Sequence, residues 1–497
     1  MSQITRAAAA SLPHQQVADL YVDGAYVAAH ATETIEVADP STGEVWGRTP
    51  DCDATDVDAA VGAARQSFDS GAWRRMTAGQ RAEVLLRAAD EVEARAHLIA
   101  MTNTRENGSP VAETAGAAAN AASILRYFAT LAPVIDDEDV RVFPKPPSPG
   151  ARTVVKRDPI GVCALIAPWN FPINLVVIKL APALLAGCSV VIKPAPSTPL
   201  SIRYVVEALA AAGVPDGVVN VVTGGGQTGD LLVRHPQVDK VAFTGSTPVG
   251  RRIAAACGEL LRPVTLELGG KSSAIVLPDA DLELLGSRLV RSCLRNTGQT
   301  CYISTRILAP AERYEEVVEV VTRTIAEQRQ GDPFDQDTVF GPLANRMQFD
   351  SVQRHLALGH EQGARVTTGG ALASLPGELA GGLFIQPTVF ADVTPDLAIA
   401  REEIFGPVLT VMKYDGVDEA IAIANNTDFG LGGIVFGGDV EAARAVAERV
   451  DSGSVGVNFF ASNHSAPFGG RHDSGLGVEY GVEGLHAYLS FKSIHLP

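Results

Sequence analysis

Cysteine is scarce in this chain and is not arranged for cross-linking. Six cysteines in 497 residues (Cys52, Cys163, Cys188, Cys257, Cys293 and Cys301) show neither CxxC nor metal-ligand spacing. That pattern argues against a disulfide framework and a zinc site and fits a reducing compartment. Any cysteine chemistry is therefore expected to rest on one thiol. Basic residues are also in short supply, with 40 Lys and Arg against 57 Asp and Glu and a formal charge of −17. Such a surface repels phosphate backbones and anionic headgroups, so neither nucleic acid nor a membrane is an expected partner. Long apolar runs are missing as well. The most apolar internal stretch, Leu180 to Ile192, is interrupted by Pro182 and Gly187 and is far shorter than the ~20 residues of a membrane span. The first twenty residues hold one arginine and a four-alanine run but no apolar core fit for a signal peptide, so a cytoplasmic location is predicted.

Hydrophobic residues make up 46% and charged residues 20%, an ordinary globular composition. The length predicts two or three structural units. From Val57 to about Ala129 apolar residues recur at helical spacing, as in RAEVLLRAADEVEARAHLIA, and predict amphipathic helices. Val140 to Pro159 contains five prolines and cannot be helical. Its composition favours a plain linker, with an extended arm that pairs with another subunit as the alternative. Between residues 160 and 250 short apolar runs (GVCALIA, SVVIKP, GVVNVVTG, KVAFTG) alternate with helix-length segments, the pattern of a parallel sheet wound with helices. Ligands of such sheets lie at the carboxyl ends of the strands, where Asn170, Lys193, Gly224 and Ser246 fall. The alternation repeats less cleanly from Ser273 to about Val457.

Several segments invite a chemical reading. Asn296-Thr-Gly-Gln-Thr-Cys301 places a thiol after a glycine-containing turn, where it can face a cleft as a nucleophile. Taken alone, a lone cysteine is more often a small buried hydrophobe. Val264-Thr-Leu-Glu-Leu-Gly-Gly-Lys271 sets Glu267 among apolar residues, which raises a carboxyl pKa and suits a general base; a strand-end glutamate held by a structural cation is the plainer alternative. Gly224-Gly-Gly-Gln-Thr-Gly229 satisfies GxGxxG but lacks the acidic residue expected about twenty positions on. Phe243-Thr-Gly-Ser-Thr-Pro-Val-Gly250 offers a second anion site, with Ser246 as cap and Pro248 just inside a predicted helix.

These segments occur together and in order. Pro168-Trp-Asn-Phe-Pro172, Lys193-Pro-Ala, Phe243-Thr-Gly-Ser, Leu266-Glu-Leu-Gly-Gly-Lys271, Gly298-Gln-Thr-Cys301, Glu402-Glu-Ile-Phe-Gly-Pro407 and Pro467-Phe-Gly-Gly470 resemble the successive signature blocks of the aldehyde dehydrogenase superfamily, from about residue 20 to the C-terminus. The resemblance implies an α/β fold with a Rossmann-type cofactor domain (1–138 and 158–267), an α/β catalytic domain (268–478) and oligomerisation elements (139–157 and 479–497) that build a homodimer or homotetramer. It implies that Cys301 attacks an aldehyde, that Asn170 and the Cys301 N–H hold the oxyanion, and that Glu267 activates the water that hydrolyses the thioester. For the cofactor it implicates Ala167, Pro168, Trp169, Lys193, Pro196, Gly226, Gly245, Ser246, Gly250, Leu268, Glu403 and Phe405. NAD is the expected cofactor. NADP is left open, because Pro196 stands where many NAD-preferring relatives carry a glutamate that holds the ribose hydroxyls, and Ser197 is placed to accept a phosphate.

Around the same blocks, Phe171, Asn174, Leu175, Ile178, Thr300, Tyr302, Phe459, Phe460 and Phe468 are the expected tunnel residues. Their mostly apolar character predicts an uncharged aliphatic or aromatic aldehyde. Ile178 stands where relatives that oxidise succinic semialdehyde carry an arginine. Two other readings compete: a coenzyme A-acylating dehydrogenase, against which Glu267 argues, and a non-catalytic binding protein, against which the joint presence of Cys301, Glu267 and Asn170 argues.

Overall fold

The alternation predicted between residues 160 and 250 is present in the computed structural model, which describes residues 4–497. Strands Val162–Ile166, Ser189–Lys193, Val219–Val221 and Lys240–Thr244 are separated by helices Pro172–Ala186, Ile202–Ala211 and Gly226–Arg234. With Val264–Glu267 they form a parallel sheet in the spatial order third, second, first, fourth, fifth. Every residue of Val162–Ile166 and Ser189–Lys193 is buried. This is why these strands read as unbroken apolar runs rather than alternating ones. The strand order reverses between Val162–Ile166 and Lys240–Thr244, so a crevice opens beyond their carboxyl ends. The hairpin of Asp19–Val22 and Ala25–Ala28 covers one edge of the sheet, and Gly475–Leu476 covers the other.

The helices predicted between Val57 and Ala129 are Ala54–Ser70, Ala78–Ala94, Ala96–Asn107, Val111–Thr114 and Ala117–Ala129. Capping boxes built on Asp53 and Thr77 start the first two, satisfying N–H groups that a helix leaves unpaired. By length and composition Val111–Asp136 is apolar enough to cross a membrane, and it was not the stretch singled out from sequence. In the fold it is divided into three helices, with 44% of its most apolar window buried.

The chain leaves the first sheet at Glu267 and enters a second at Ser273. This sheet runs Arg365–Thr368, Thr388–Ala391, Val408–Tyr414, Arg306–Pro310, Ser273–Val276, Ile434–Phe436, Gly456–Val457, and only Arg365–Thr368 is antiparallel to its neighbour. Its amino ends face the carboxyl ends of the first sheet: Glu267 closes a strand of one, and the next five residues lead into Ser273–Val276 of the other.

The proline-rich segment is not a plain linker. Asp139–Val142 and Arg152–Pro159 are strands, and the second pairs along its whole length with Leu489–Leu496 near the C-terminus. Composition missed this because the partner lies more than 300 residues away. Deleting residues 489–497 leaves the edge of Arg152–Pro159 unpaired; a lower thermal midpoint and soluble aggregates in size-exclusion chromatography are expected, and an unchanged midpoint would show that the pairing is dispensable.

Candidate active site

Cys301 lies at the end of a turn in which Asn296, Thr297 and Gly298 have φ of 53°, 56° and 76°. Three successive left-handed residues are costly, above all at β-branched threonine. Buried hydrogen bonds hold them there. Asn296 Nδ2 donates to Asn170 O at 3.0 Å, Ser109 Oγ to Asn296 Oδ1 at 2.6 Å, and the Gly341 N–H to Thr297 Oγ1 at 3.0 Å. Gln299 Oε1 accepts from the Ala344 N–H at 2.9 Å, and Asn170 Nδ2 donates to Gln299 O at 3.0 Å. A Cβ at Gly298 would overlap the Gly406 carbonyl, and one at Gly270 would overlap the Cys301 carbonyl. The turn is thus wedged between the loop that follows Glu267 and the loop that carries Glu403 and Phe405.

Among the six cysteines Cys301 alone is partly exposed; the other five are buried. Burial, then Glu403 and Glu267, push its thiol pKa up, while its own backbone N–H partly offsets this. Among the described residues no backbone carbonyl takes that N–H, so an oxygen bound beside the sulfur can share it. Asn170 has committed its amide nitrogen to the same turn through Gln299, and the second amide hydrogen is free.

Glu267 ends its strand with both carboxylate oxygens buried and unpaired. Burial raises its pKa well above the usual carboxylate range, Glu479 adds to the shift, and Lys179 opposes it. Lys179 is wholly buried and donates to Glu479 Oε1 and Thr244 Oγ1, both at 2.6 Å. The structural cation that would make Glu267 a mere strand-end anchor is therefore spent on Glu479. Glu403 approaches from the second sheet and accepts the Gly270 N–H at 2.8 Å. Its burial raises its pKa to about 7 against the lowering effects of that N–H and Lys271.

On the crevice side each of the two glycine segments leads into a helix. Gly225 caps the helix Gly226–Arg234, but its N–H already donates to Asp51 Oδ1 at 3.0 Å. Ser246 caps Thr247–Glu259 and its hydroxyl makes no capping hydrogen bond. Neither helix has a side-chain cap, so both termini present a positive dipole end toward the crevice. Gly245 donates to Glu267 O at 3.0 Å, and Gly250 packs so closely on Leu268 that a side chain there would collide with it. Lys193, at the end of its strand, is buried and commits a single hydrogen bond to Pro194 O at 3.1 Å. Burial lowers its pKa to about 8. Ala167 donates to Lys193 O at 3.2 Å. Trp169 meets Phe405 edge to face at 5.5 Å, which places Pro168 and Trp169 opposite the Glu403 loop. Pro196 is exposed at the far end, with no side-chain polar group to offer.

A cavity of about 250 Å³ lies on the other side of the turn. Five of the nine expected tunnel residues line it: Phe171, Asn174, Leu175, Tyr302 and Phe460. The other four do not. Ile178 is buried in the core of its helix, and Thr300 is buried with its hydroxyl on Arg295 O at 3.1 Å. Phe459 points out to solvent. Phe468 stands behind Tyr302, edge to face at 6.2 Å. Counting outward from signature blocks cannot tell the inner face of a loop from the outer one. The wall is also more polar than expected, because Glu113, Asn120, Arg291 and Arg295 share it. The sequence signal for Arg295 was its place one residue before the Asn296 turn; Glu113 carried none.

A dinucleotide-type crevice that opens onto a thiol and a buried carboxylate is the layout of an oxidoreductase. The chain matches the profile of the Aldehyde dehydrogenase family over residues 26–494, and it belongs to that family. It is 46% identical over 488 residues to geranial dehydrogenase of Castellaniella defragrans, covering 98% of this chain and 99% of that one. Among solved structures it resembles aldehyde dehydrogenase C of Pseudomonas syringae, complexed with NAD+ and octanal, at a TM-score of 0.92 and 38% identity, with 98% of each chain covered. A Mycobacterium tuberculosis aldehyde dehydrogenase complexed with NAD+ superimposes at a TM-score of 0.93 and 40% identity, covering 98% and 99%.

The strained turn generates a direct test. Gly298→Ala adds a clashing Cβ at φ +76° and is expected to fold with a lowered thermal midpoint and to lose at least about tenfold in turnover, since small displacements of a reacting group are costly. Wild-type turnover in that variant would show that the turn does not position the thiol.

Proposed function

We propose that this protein oxidises uncharged, apolar aldehydes to carboxylic acids with NAD, using Cys301 as nucleophile, Asn170 and the Cys301 N–H as the oxyanion site, and Glu267 as the base that releases the product. The observation that carries this reading is Glu267: a buried carboxyl with no hydrogen-bond partner, in the electrostatic field of the one accessible thiol. An orphaned buried carboxyl is expensive, and a role in proton transfer accounts for its retention.

The crevice residues fit a dinucleotide. In this reading Ser246 and the N-terminus of Thr247–Glu259 receive the pyrophosphate, Lys193 the adenosine ribose, and Glu403 the nicotinamide ribose. When bound, NAD supplies the acceptor for the hydride that the aldehyde carbon must lose. Cys301 Sγ gives its proton to solvent water and bonds to that carbon, the carbonyl electron pair moves onto the oxygen, and the Cys301 N–H and the free Asn170 amide hydrogen steady the negative charge. Loss of one such donor typically costs ~3–4 kcal/mol of transition-state stabilisation. After the oxidation the acyl group remains on Cys301 as a thioester. Glu267 takes a proton from water, the water oxygen bonds to the acyl carbon, and the carbon–sulfur bond breaks to release the Cys301 thiolate, which regains a proton from Glu267. Pro196 neither holds ribose hydroxyls nor repels a phosphate, so use of NADP is part of the proposal, with Ser197 as its contact. Geranial and octanal, named for two similar proteins, are uncharged hydrocarbon aldehydes, in keeping with the aromatic wall of Phe171, Tyr302 and Phe460.

The first sheet with its helices (1–138 and 158–267) forms the cofactor domain in this reading, and 268–478 the catalytic domain. Elements 139–157 and 479–497 form an arm on which Val142 and Phe491 are 81% and 60% exposed, a patch suited to a homodimer or homotetramer. The six free thiols support a cytoplasmic setting.

Two outcomes test the chemistry. Glu267→Gln should give a burst of reduced nicotinamide and then stall as an acyl-enzyme visible by intact mass, whereas Cys301→Ala should give neither; steady turnover by Glu267→Gln would remove Glu267 from deacylation. The Glu403 carboxyl, raised to about 7, carries its charge above that pH and loses it below. The KM for NAD should accordingly rise as pH falls through about 7. Glu403→Gln should flatten the profile, and a profile that persists in that variant would assign the titration elsewhere.

A further inference from the structure

The cavity wall holds a charge pair that an apolar tunnel does not need. Arg295 Nε and Nη2 donate to the same oxygen, Glu113 Oε2, at 3.0 and 2.9 Å. Arg295 Nη1 donates to Tyr302 Oη at 2.7 Å, and the guanidinium carbon lies 5.0 Å from the centre of the Phe171 ring. Three sides of the guanidinium are thus fixed, by groups from the helix Val111–Thr114, the Cys301 turn and the loop before Pro172. The two charged side chains are 31% and 33% exposed and both face the cavity. Burial works against the Arg295 charge, and Tyr302 and Glu113 more than offset it.

We propose that Glu113 and Arg295 form a charge-selecting gate in the aldehyde pocket: while paired they present no net charge and admit neutral aldehydes, and loss of either partner opens the pocket to an aldehyde of the opposite charge. This rests on the reading of the cavity as the aldehyde site. In a narrow cavity wall a bare charge is screened less than at the open surface, so an unpaired Arg295 attracts a carboxylate at the far end of a substrate and an unpaired Glu113 attracts an ammonium group. Arg291, one helical turn earlier, also reaches the cavity, but its side chain is exposed at the rim, where water screens it. Tyr302 follows Cys301 directly, so the pair also braces a neighbour of the nucleophile. Discrimination by charge complements shape here, because each methylene contributes little to selection in an apolar tunnel.

The test measures kcat/KM for succinic semialdehyde and for betaine aldehyde, each relative to octanal, in wild type, Glu113→Gln, Arg295→Gln and the double variant. Glu113→Gln keeps an acceptor for the guanidinium and should raise the succinic semialdehyde ratio about tenfold, Arg295→Gln should raise the betaine aldehyde ratio similarly, and both gains should shrink with added salt. In the double variant both ratios should return toward wild type. A purely structural role would move both ratios the same way or leave them unchanged, and either result overturns the gate. So does loss of octanal turnover in both single variants, which makes the pair a scaffold. If one variant fails to fold, the other carries the test with its own sign. Activity of Cys301→Ala on octanal would instead defeat the underlying assignment of the nucleophile.

Discussion

The left-handed turn at Asn296, Thr297 and Gly298 is the constraint on which the rest of the site depends. Each non-glycine residue in that conformation costs of order 1–3 kcal/mol. The buried hydrogen bonds from Asn170, Ser109, Gly341 and Ala344 return about 0.5–1.5 kcal/mol each, and losing one leaves a buried polar group unpaired at a further ~1–3 kcal/mol. The strain is therefore sustained by the surroundings rather than by the turn. Two of those bonds involve Asn170 itself, so the residue proposed to hold the oxyanion also fixes the segment that presents the thiol. Positioning and electrostatics share one hydrogen-bond network.

Burial is the second organising force. The carboxyl ends of one sheet meet the amino ends of another, and the loops between them carry Glu267, Glu403 and Cys301 into a region poor in water. All three have their pKa values raised, with burial the largest cause in each case. Raised carboxyl and thiol pKa values make a site that reacts when a substrate and a proton acceptor are in place. Of the buried cations nearby, Lys179 is turned to Glu479 and Lys193 to its own chain, while Lys271, without a hydrogen-bond partner, offsets only part of the rise at Glu403.

How much of this the sequence carries differs from element to element. The first sheet was legible because each strand is buried on both faces and bounded by a helix of ordinary length. The order of its strands, and so the position of the crevice, was not legible, because alternation leaves the spatial order of parallel strands open. The arm was not legible, because Arg152–Pro159 pairs with Leu489–Leu496 and local composition contains nothing about so distant a partner. Cys301, Glu267 and Asn170 emerged from the order of the blocks rather than from their own surroundings, and so did the preference between two glycine segments that look alike in sequence. The tunnel was half legible. Proximity in sequence to a block reached Phe171 and Tyr302, which line the cavity, but also Phe459, which faces outward, and it could not find Glu113, which meets Arg295 across 182 residues.

One thiol in this chain is presented for reaction while five are packed away. Limiting alkylation with iodoacetamide, followed by peptide mass spectrometry and residual activity, tests it most directly. One equivalent of label on Cys301, with activity lost in proportion and the other five cysteines unmodified, is the predicted result. Activity that survives full labelling of Cys301, or that is lost with label on another cysteine, would contradict it.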